Sequence, residues 1–195
     1  KSLAIWMDNK KAKLKNKQQV DADNMDEEKE DEETEMFEEQ RHKKLDMFEG
    51  VKLFNKKPSQ GIKHLVQAGL LNDDCESLAH FFLNGKGLSK KMIGAYLGAP
   101  DQFNQEVLHE FTNMQNFVDI SFEAAIRSYL NTFRLPGEAQ MINRIMLKFA
   151  EKYYKDNPDS VFANADAAYV FAYSVIMLNT ELHSAAIGKR ERMSE

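Results

Sequence analysis

An acidic residue directly behind a Pro-Gly pair is the feature of this sequence best suited to chemistry. Residues 133–140 read Phe-Arg-Leu-Pro-Gly-Glu-Ala-Gln. Pro136 fixes a backbone angle and Gly137 permits a narrow turn. Glu138 follows at once and leads into a long amphipathic segment, so its carboxylate is expected to stand on a stiff tip. Such a tip suits the delivery of a negative charge into the site of another molecule.

The same glutamate has a structural interpretation that the residues alone leave open. An acidic side chain in the first turn of a helix interacts favourably with the helix dipole, by a few tenths to ~1 kcal/mol. A Pro-Gly pair is also an ordinary break between two helices. A helix-starting acid and a functional acid therefore remain alternatives for Glu138.

Other catalytic and metal-binding patterns are absent from the sequence. The five histidines form no His-x-x-x-His pair, and no Gly-x-Ser-x-Gly occurs. Residues 85–91 lack the spacing of a phosphate-binding loop, and a helix-ending glycine followed by a capped helix explains them. A single cysteine, Cys75, excludes an internal disulfide and indicates a reducing compartment. We expect neither a metal ion nor a cofactor.

The elements that position these residues are predicted to be helices. From about residue 40, apolar residues recur at helical spacing, and no segment alternates apolar and polar residues as a half-exposed strand does. The last two long segments cover 138–154 and 167 to about 183. The capping residues that divide the region are Ser59, Asp74, Ser89, Ser121 and Asn164 or Asp166 at helix starts, and Gly69, Gly85 and Gly98 at helix ends. Residues 40–195 are therefore predicted to form one all-α domain of about eight helices.

Residues 1–39 differ from that domain in charge. They carry a net charge of −6, and residues 40–195 carry +1. The run 26–39 contains ten acidic residues and one lysine, so its charges repel and a disordered linker is expected. The near-neutral domain gives no sign of nucleic-acid binding. The longest apolar run, 167–178, is shorter than the ~20 residues that span a bilayer. The start at Lys1 suggests a piece of a longer polypeptide.

The last helix allows two interpretations. A helix that is apolar nearly all round is typically buried in a core. Alternatively, one stripe lines a groove, because aromatic and methionine side chains are favoured where a hydrophobic segment of a partner docks. That stripe consists of Tyr169, Tyr173, Ile176, Met177 and Thr180.

Read together, the two segments resemble one protein family. Residues 133–140 and the segment 168–183, Ala-Tyr-Val-Phe-Ala-Tyr-Ser-Val-Ile-Met-Leu-Asn-Thr-Glu-Leu-His, resemble the two signature motifs of the Sec-seven domain. That domain is the catalytic module of guanine-nucleotide exchange factors for Arf GTPases. The resemblance extends from about Gly50 to about Met193. The opening Leu-Phe-Asn-Lys-Lys-Pro of residues 53–58, together with residues 172–174, resembles the large Golgi subtype that brefeldin A inhibits.

The resemblance implies a fold, a partner and roles for residues. The family fold is a right-handed superhelix of about ten helices, of which about eight would fall in this chain, truncated at its C-terminal end. The short segment 2–7 would be a remnant of an upstream helical regulatory region. The implied partner is an Arf-family GTPase, whose switch regions dock in a groove beside the loop. Glu138 falls on the glutamate finger of the family. The implied partner-binding positions are Phe133, Arg134, Leu135, Pro136, Gly137, Ala139, Gln140, Met141, Asn143, Tyr169, Tyr173, Ile176, Met177 and Thr180.

The implied function is regulation of a GTPase without covalent chemistry, in the cytoplasm and at the Golgi or trans-Golgi surface. Membrane association would then come only through the partner or through domains outside this chain. The alternative is a non-catalytic helical interaction module with a decayed exchange domain. The full Phe-Arg-Leu-Pro-Gly-Glu loop argues against decay.

Several positions depart from the family pattern. Met141 stands where lysine is usual, and Asn143 where aspartate is usual. Polar contacts flanking the groove are therefore expected to differ from those of relatives. Ser184 replaces an asparagine found in many members. Tyr173, Ser174 and Met177 match the pattern for brefeldin A sensitivity, but position 181 holds glutamate instead of aspartate. Weak or altered sensitivity is therefore expected.

Overall fold

The computed structural model of the protein describes residues 36–183, with side chains up to residue 180. Within this range every regular element is a helix, and there are eight of them. The all-α prediction and its helix number are confirmed. The helices are α1 (residues 36–56), α2 (Pro58–Gln67), α3 (Cys75–Asn84), α4 (Lys90–Leu97), α5 (Gln102–Asn113), α6 (Phe122–Thr132), α7 (Ala139–Asp156) and α8 (Ala165–His183).

The N-terminal boundary differs slightly from the expected one. Residue 36 is already helical, although the domain was expected to begin at residue 40. Of the linker predicted over residues 1–39, residues 1–35 lie outside the described residues, as does the departure at Ser184, and residues 36–39 are helical. Within the described range, residues 36–46 belong to one unit and residues 47–183 to another. The loop with Glu138 belongs to the second unit.

Side-chain caps start three helices where the sequence predicts them. Each capping oxygen accepts a hydrogen bond from the backbone N–H three residues later, which satisfies a donor that the helix leaves free. The bonds are Ser77 N–H to Asp74 Oδ1 (2.7 Å), Ala124 N–H to Ser121 Oγ (3.3 Å) and Ala167 N–H to Asn164 Oδ1 (2.8 Å). The predicted caps Asp74, Ser121 and Asn164 are thus confirmed.

The predicted cap at Ser59 is wrong. Helix α2 begins one residue earlier, at Pro58, with Lys57 as the flanking residue and no side-chain cap. Proline suits the first position of a helix because its φ angle is preset and its missing N–H would have no partner there. At the other end Gly69 takes a φ of 67°, and the Leu70 N–H donates to the Leu65 carbonyl at 2.9 Å. The predicted glycine terminator is confirmed.

Ser89 precedes α4 as predicted, but its hydroxyl makes no capping bond. Its backbone N–H instead donates to Asn55 Oδ1 at 2.6 Å, and Asn55 Nδ2 donates to the Gly87 carbonyl at 2.8 Å. The end of α1 therefore fixes the turn that leads into α4.

Aromatic rings fill the core between α5, α6 and α7. Tyr129 is fully buried, with its ring centroid 5.2 Å from that of Phe149 and 6.2 Å from that of Phe117. Thr112 Oγ1 donates to the Leu108 carbonyl at 2.8 Å, so the Tyr129 hydroxyl is the donor in its 3.0 Å bond to Thr112 Oγ1. Burial raises the pKa of Tyr129 far above its usual value. The hydroxyl therefore stays neutral and holds α5 to α6.

A thiol–carboxylate contact joins α3 to α5. Cys75, the first residue of α3, directs its Sγ to Glu106 Oε2 at 3.7 Å. Burial, followed by the nearby Glu106 carboxylate, raises the pKa of this thiol. Cys75 is half-buried and belongs to the packing of the two helices.

Helix α8 is buried on one side only. Its buried face consists of Ala168, Ala172 and Ile176, and Tyr169 and Tyr173 are half-buried beside it. The interpretation of α8 as a core helix therefore holds for one face alone. The opposite directions expose Val170, Phe171, Val175 and Leu178. No helix of the described range has the length and apolar character needed to cross a bilayer.

Candidate functional site

The loop of residues 133–138 joins α6 to α7 and is anchored at its start. Phe133 is 2% exposed, and its ring lies 5.2 Å from Tyr129 and 5.9 Å from Phe111. The backbone N–H of Arg134 donates to the carbonyl of Lys90 at 2.9 Å. The loop therefore leaves the aromatic core in a fixed direction.

Beyond this anchor the loop rises out of the protein. Leu135 and Pro136 are half-buried, and Gly137 and Glu138 are exposed. A Cβ placed on Gly137 would meet no atom within 4 Å, and the φ of Gly137 is not in the left-handed region. The fold itself therefore does not require glycine here. The tip is narrow because Gly137 has no side chain, and other residues could adopt the same backbone conformation.

Glu138 is the residue that immediately precedes α7. Its carbonyl accepts the first helical hydrogen bonds, from the N–H groups of Met141 and Ile142, both at 3.0 Å. Its side chain makes no capping bond, and the first turn of α7 holds no acidic residue. In the described part of the chain no side chain pairs with this carboxylate. Glu138 therefore does not cap α7 through a hydrogen bond, and its interaction with the helix dipole, which needs no such bond, stays an alternative.

Two surface depressions flank the start of α7. The residue after Glu138 lines the first depression, and the residue before it lines the second. The first, of about 510 Å³, is lined by Ala139, Gln140, Asn143, Arg144, Tyr169 and Tyr173. The second, of about 590 Å³, is lined by Lys90, Leu130, Asn131, residues 133–137, Ile142, Ile176, Asn179 and Thr180. Residues of the groove expected along α8 line both depressions, Tyr169 and Tyr173 the first and Ile176 and Thr180 the second.

The first depression is bordered by polar groups that are already bonded. The Tyr169 hydroxyl donates to Asn143 Oδ1, and the rings of Tyr169 and Tyr173 lie 6.0 Å apart. Arg144 donates to the Gly98 carbonyl from Nε at 3.0 Å and from Nη2 at 2.6 Å. The groups of the first depression that remain available to a partner are the two tyrosine rings and the exposed Gln140 amide.

The second depression has a more apolar floor. Phe133 and Ile176, at 2% and 8% exposure, form part of it. The Thr180 hydroxyl at its edge donates back to the Ile176 carbonyl at 2.8 Å. On the α4 side, Lys90 Nζ donates to the Asn131 carbonyl at 2.5 Å. An apolar side chain of a partner would fit this depression better than a charged one.

Comparison with known proteins identifies the domain. The model of the Sec7 domain family matches residues 43–195, well over half of the chain. The chain belongs to the Sec7 domain family. Its relatives include the brefeldin A-inhibited guanine nucleotide-exchange protein 2 of Arabidopsis thaliana, which is 48% identical over 151 residues. That match covers 77% of this chain but 8% of the relative, so the chain spans a small part of the curated protein.

Solved structures agree with this assignment. The Sec7p catalytic domain superposes with a TM-score of 0.66 at 44% identity, covering 72% of this chain and 78% of that one. A Sec7 domain bound to ARF1-GDP and complexed with brefeldin A gives 0.69 at 36% identity, covering 77% and 76%. The predicted family is confirmed, and the names of the relatives agree with the large brefeldin A-inhibited subtype.

The Sec7 site contains most of the predicted positions at its surface, but not all. Phe133 and Ile176 are core residues, so we assign them the support of the loop and of α8. Met141 and Met177 are half-buried. Met141 packs toward α4, where a Cβ added to Gly98 would lie 2.8 Å from the Cβ of Met141. Binding of a partner by the fourteen positions stays a prediction. The side chain of Glu181, which carried the brefeldin A expectation, lies outside the described side chains.

The sequence interpretation missed several residues of the Sec7 site. No sequence pattern connected Lys90 with the loop, because it lies more than forty residues before it. Gly94 and Gly98 had a weak signal, since a glycine within a helical pattern usually indicates close packing. The others, which lie on segments already recognised as helical, are Leu130, Asn131, Ile142 and Asn179.

The site combines the exposed Glu138 carboxylate with the two surface depressions. In the described range no group of three or more histidine, cysteine or acidic side chains is arranged to hold a metal ion. Glu138 is the carboxylate at the tip, and exposed Arg134 stands four residues before it. The arrangement can place a negative charge against a bound molecule while the depressions on either side contact that molecule.

Proposed function

We propose that this Sec7 domain promotes release of GDP from an Arf-family small GTPase, with Glu138 as its glutamate finger. The observation that supports this most is the unpaired Glu138 carboxylate on a loop whose base is fixed in the aromatic core. A Sec7 domain of the same fold has been solved with ARF1-GDP. The relative in Arabidopsis is named as a guanine nucleotide-exchange protein.

The charge of Glu138 supplies the chemistry of this proposal. A GTPase of this class holds the phosphates of its nucleotide through backbone donors, a lysine and Mg²⁺. Two like unit charges ~4 Å apart repel by about 4 kcal/mol at an effective dielectric constant of ~20. A carboxylate brought beside the β-phosphate also competes for the lysine and for Mg²⁺. Each 1.4 kcal/mol of lost nucleotide binding raises the dissociation constant about tenfold.

The surface around the finger supplies the binding energy. Exchange requires that the domain bind the nucleotide-free GTPase more tightly than the loaded forms, because nucleotide and domain then weaken each other's binding. The tyrosine rings of the first depression and the apolar floor of the second would contact the switch regions. Burial of apolar area there contributes about 25 cal/mol per Å². Glu138 makes this binding selective for the empty state.

A missing side chain at position 137 fits the same proposal. Among the described residues, no atom lies within 4 Å of a Cβ built at this position, so a side chain there would face an approaching partner. Glycine lets the backbone approach a bound molecule closely. The bare tip would therefore let the carboxylate reach a recessed phosphate.

The cellular setting follows from the same proposal. A regulator of Arf GTPases would act in the cytoplasm, at the surface of the Golgi or trans-Golgi network. Its membrane association would come through the GTPase or through other parts of a longer protein. The alternative function, a decayed and non-catalytic interaction module, requires binding of the GTPase without faster GDP release.

The test is GDP release from Arf proteins loaded with a fluorescent GDP. The unchanged chain is expected to accelerate release, and Glu138→Gln, which removes the charge at nearly constant size, is expected to lower kcat/KM about 100-fold or more. Glu123→Gln is the matched control, since Glu123 is an exposed acid near the start of α6 that pairs with Arg127 at 2.9 Å.

The control variant is expected to keep the full rate. Equal acceleration by the unchanged chain and by Glu138→Gln would refute the finger. GTPase binding without acceleration by the unchanged chain would favour the decayed module.

A further inference from the structure

Helix α4 contacts the finger loop through its first residue. The Lys90 carbonyl accepts the Arg134 N–H at 2.9 Å, and Lys90 Nζ donates to the Asn131 carbonyl at 2.5 Å. Asn131 lies in the last turn of α6, where carbonyls have no helical partner and a cation is favoured. One residue thus binds the backbone on both sides of the turn from α6 into the loop.

One turn further along α4, the backbone of the loop lies directly on the helix. Gly94 is buried, and a Cβ added to it would stand 1.9 Å from the Arg134 carbonyl oxygen and 3.3 Å from Phe133 Cδ2. Glycine within a helix costs about 1 kcal/mol relative to alanine. The contact with Arg134 explains why this position holds glycine.

A third contact reaches the first turns of α7. The Gly98 carbonyl accepts both hydrogen bonds from Arg144, and a Cβ on Gly98 would stand 2.8 Å from Met141 Cβ. Residues four apart lie on one face of a helix, so Lys90, Gly94 and Gly98 form a single surface, the α4 platform.

The contacts of the α4 platform bracket the finger. Arg134 lies four residues before Glu138, and Met141 three residues after it. Between these anchors no side chain of residues 135–140 makes a hydrogen bond within the described part of the protein. Leu135 packs against the core between these anchors. The α4 platform therefore holds the backbone before the tip and contacts the first turn of α7 after it.

We propose that the α4 platform is a positioning element for nucleotide exchange, with Lys90 and Gly94 acting through Glu138. This inference rests on the proposed function. Its physical basis is that the repulsion between the carboxylate and a phosphate depends on their separation, and that misplacement by ~1 Å can cost a reaction about 100-fold. Lys90 and Gly94 set that separation without touching the nucleotide.

The first variant removes one bond and keeps the packing. Lys90→Met retains an aliphatic stem of similar length but loses the donor to Asn131. We expect kcat for GDP release to fall about 3- to 10-fold, since one hydrogen bond to a charged group is lost, with KM changed less than 2-fold. Lys91→Met is the control, because Lys91 is the exposed neighbour. Lys90→Arg, which restores a cation, is expected to recover part of kcat.

The second variant moves the loop. In Gly94→Ala the Arg134 carbonyl must retreat by about 1.5 Å to reach ordinary contact. We expect kcat to fall about 10- to 100-fold. The control is Gly61→Ala, which also creates a backbone clash, 2.3 Å from the Phe54 nitrogen between α1 and α2, slightly less close than the 1.9 Å at Gly94. Both proteins are expected to lose stability, so rates are compared well below both melting temperatures. Only Gly94→Ala is expected to lose kcat.

A double-variant cycle separates positioning from a direct contact with the GTPase. If Lys90 and Gly94 act through the finger, Lys90→Met and Gly94→Ala cause no further loss in a Glu138→Gln background. Full additivity in that background would overturn the inference. Wild-type kcat in both single variants would also overturn it, and it would leave the proposed function intact.

Hydrogen exchange tests the α4 platform even if the unchanged chain accelerates no GTPase. The Arg134 amide is expected to be protected in the unchanged chain, because it donates to Lys90. Lys90→Met and Gly94→Ala are expected to speed its exchange at least 3-fold, and Lys91→Met and Gly61→Ala to leave it unchanged. Equal protection in all five proteins would show that the α4 platform does not hold the loop.

Discussion

Three helices of this Sec7 domain begin behind an acidic residue. Asp101 before α5 makes no capping bond, and the other two acids, Asp74 and Glu138, differ from each other. Asp74 precedes α3 and accepts hydrogen bonds from the N–H and the hydroxyl of Ser77, at 2.7 and 2.9 Å. Glu138 precedes α7, and its carboxylate makes no such bond. The N–H bond of Ser77, and then its hydroxyl, lower the pKa of Asp74. The Asp74 carboxylate is bonded to its own helix, whereas the Glu138 carboxylate makes no bond to the helix that follows it.

This difference shows that the position of an acid before a helix does not by itself reveal whether the acid caps that helix. A helix start attracts acids for stability, so an acid there carries little functional information. The Glu138 carboxylate has no hydrogen-bond partner among the described residues, and the tip beside it is open. Structure separates a capping acid from a free one by its hydrogen bonds. The two acids therefore predict opposite outcomes for stability and for exchange.

Charge reversal at the free acid is expected to have the largest effect. In Glu138→Lys an ammonium group would attract the phosphates instead of repelling them, so GDP release should fall to the rate of the GTPase alone. A cation near a helix start is mildly unfavourable, and the melting temperature is expected to change by about 2 °C or less. Stopped-flow GDP release and thermal unfolding measure the two quantities.

The control for this reversal is Glu123→Lys, another exposed acid beside a helix start. It is expected to keep its exchange rate. Residual acceleration by Glu138→Lys at more than a tenth of the original rate would contradict the finger.

Shortening the free acid is expected to have an intermediate effect. Glu138→Asp converts the residue before α7 into the type that caps α3. Aspartate at this position prefers to accept a backbone N–H of the first turn, so the carboxylate is expected to fold back onto α7. GDP release should fall about 10-fold, while the melting temperature stays level or rises by about 1–3 °C.

Glu138→Asn serves as the control for this substitution, because it caps equally well without the charge. It is expected to match the melting temperature of Glu138→Asp and to release GDP more slowly still. A lower melting temperature in Glu138→Asp would show that the start of α7 cannot accept a capping side chain.

Removing the bonded acid is expected to have the smallest effect, and only on stability. Asp74→Ala should lower the melting temperature by about 2–4 °C at pH 7 and leave exchange unchanged. Because the folded state lowers the pKa of Asp74, the bonded carboxylate stabilises the fold above the ordinary pKa of ~3.9 and loses this contribution as the pH falls through the folded value.

Urea unfolding between pH 3 and pH 7 measures this contribution. The difference in stability between the unchanged chain and Asp74→Ala should be full near neutral pH and shrink as the pH falls below the ordinary pKa of ~3.9. Asp73→Ala, an exposed neighbour, should show no such change. A difference that persists unchanged at pH 3 would mean that the carboxylate is not its source.

Local chemistry explains why the helices were predictable. Caps such as Asp74 and Ser121 and the glycine at position 69 determine helix ends through contacts within four residues, which a sequence shows directly. The wrong prediction at Ser59 also has a local cause. Pro58 and Ser59 are both typical of helix starts, and α2 begins at the proline. Ser89 precedes its helix as predicted but makes no capping bond, and its backbone N–H is bonded to Asn55 of another helix.

The site was predictable only in part. Its loop and the stripe on α8 were found through a family resemblance and through helical spacing. Spacing also suggested a groove along α8, and four residues of its stripe line the two depressions beside the loop. The burial of Phe133 and Ile176 and the support from Lys90 and Gly94 depend on how distant helices pack. Such contacts join residues some forty positions apart, and no local pattern encodes them.

The half-buried thiol of Cys75 gives this domain a practical property. Thiolates are the reactive form of cysteine, and the pKa of this thiol is raised by burial and by Glu106. The chain contains no second cysteine. A cysteine introduced at the open position 137 would therefore react with a maleimide dye far faster than the native one. The native sequence thus already provides the selective background for a fluorescent reporter at the finger.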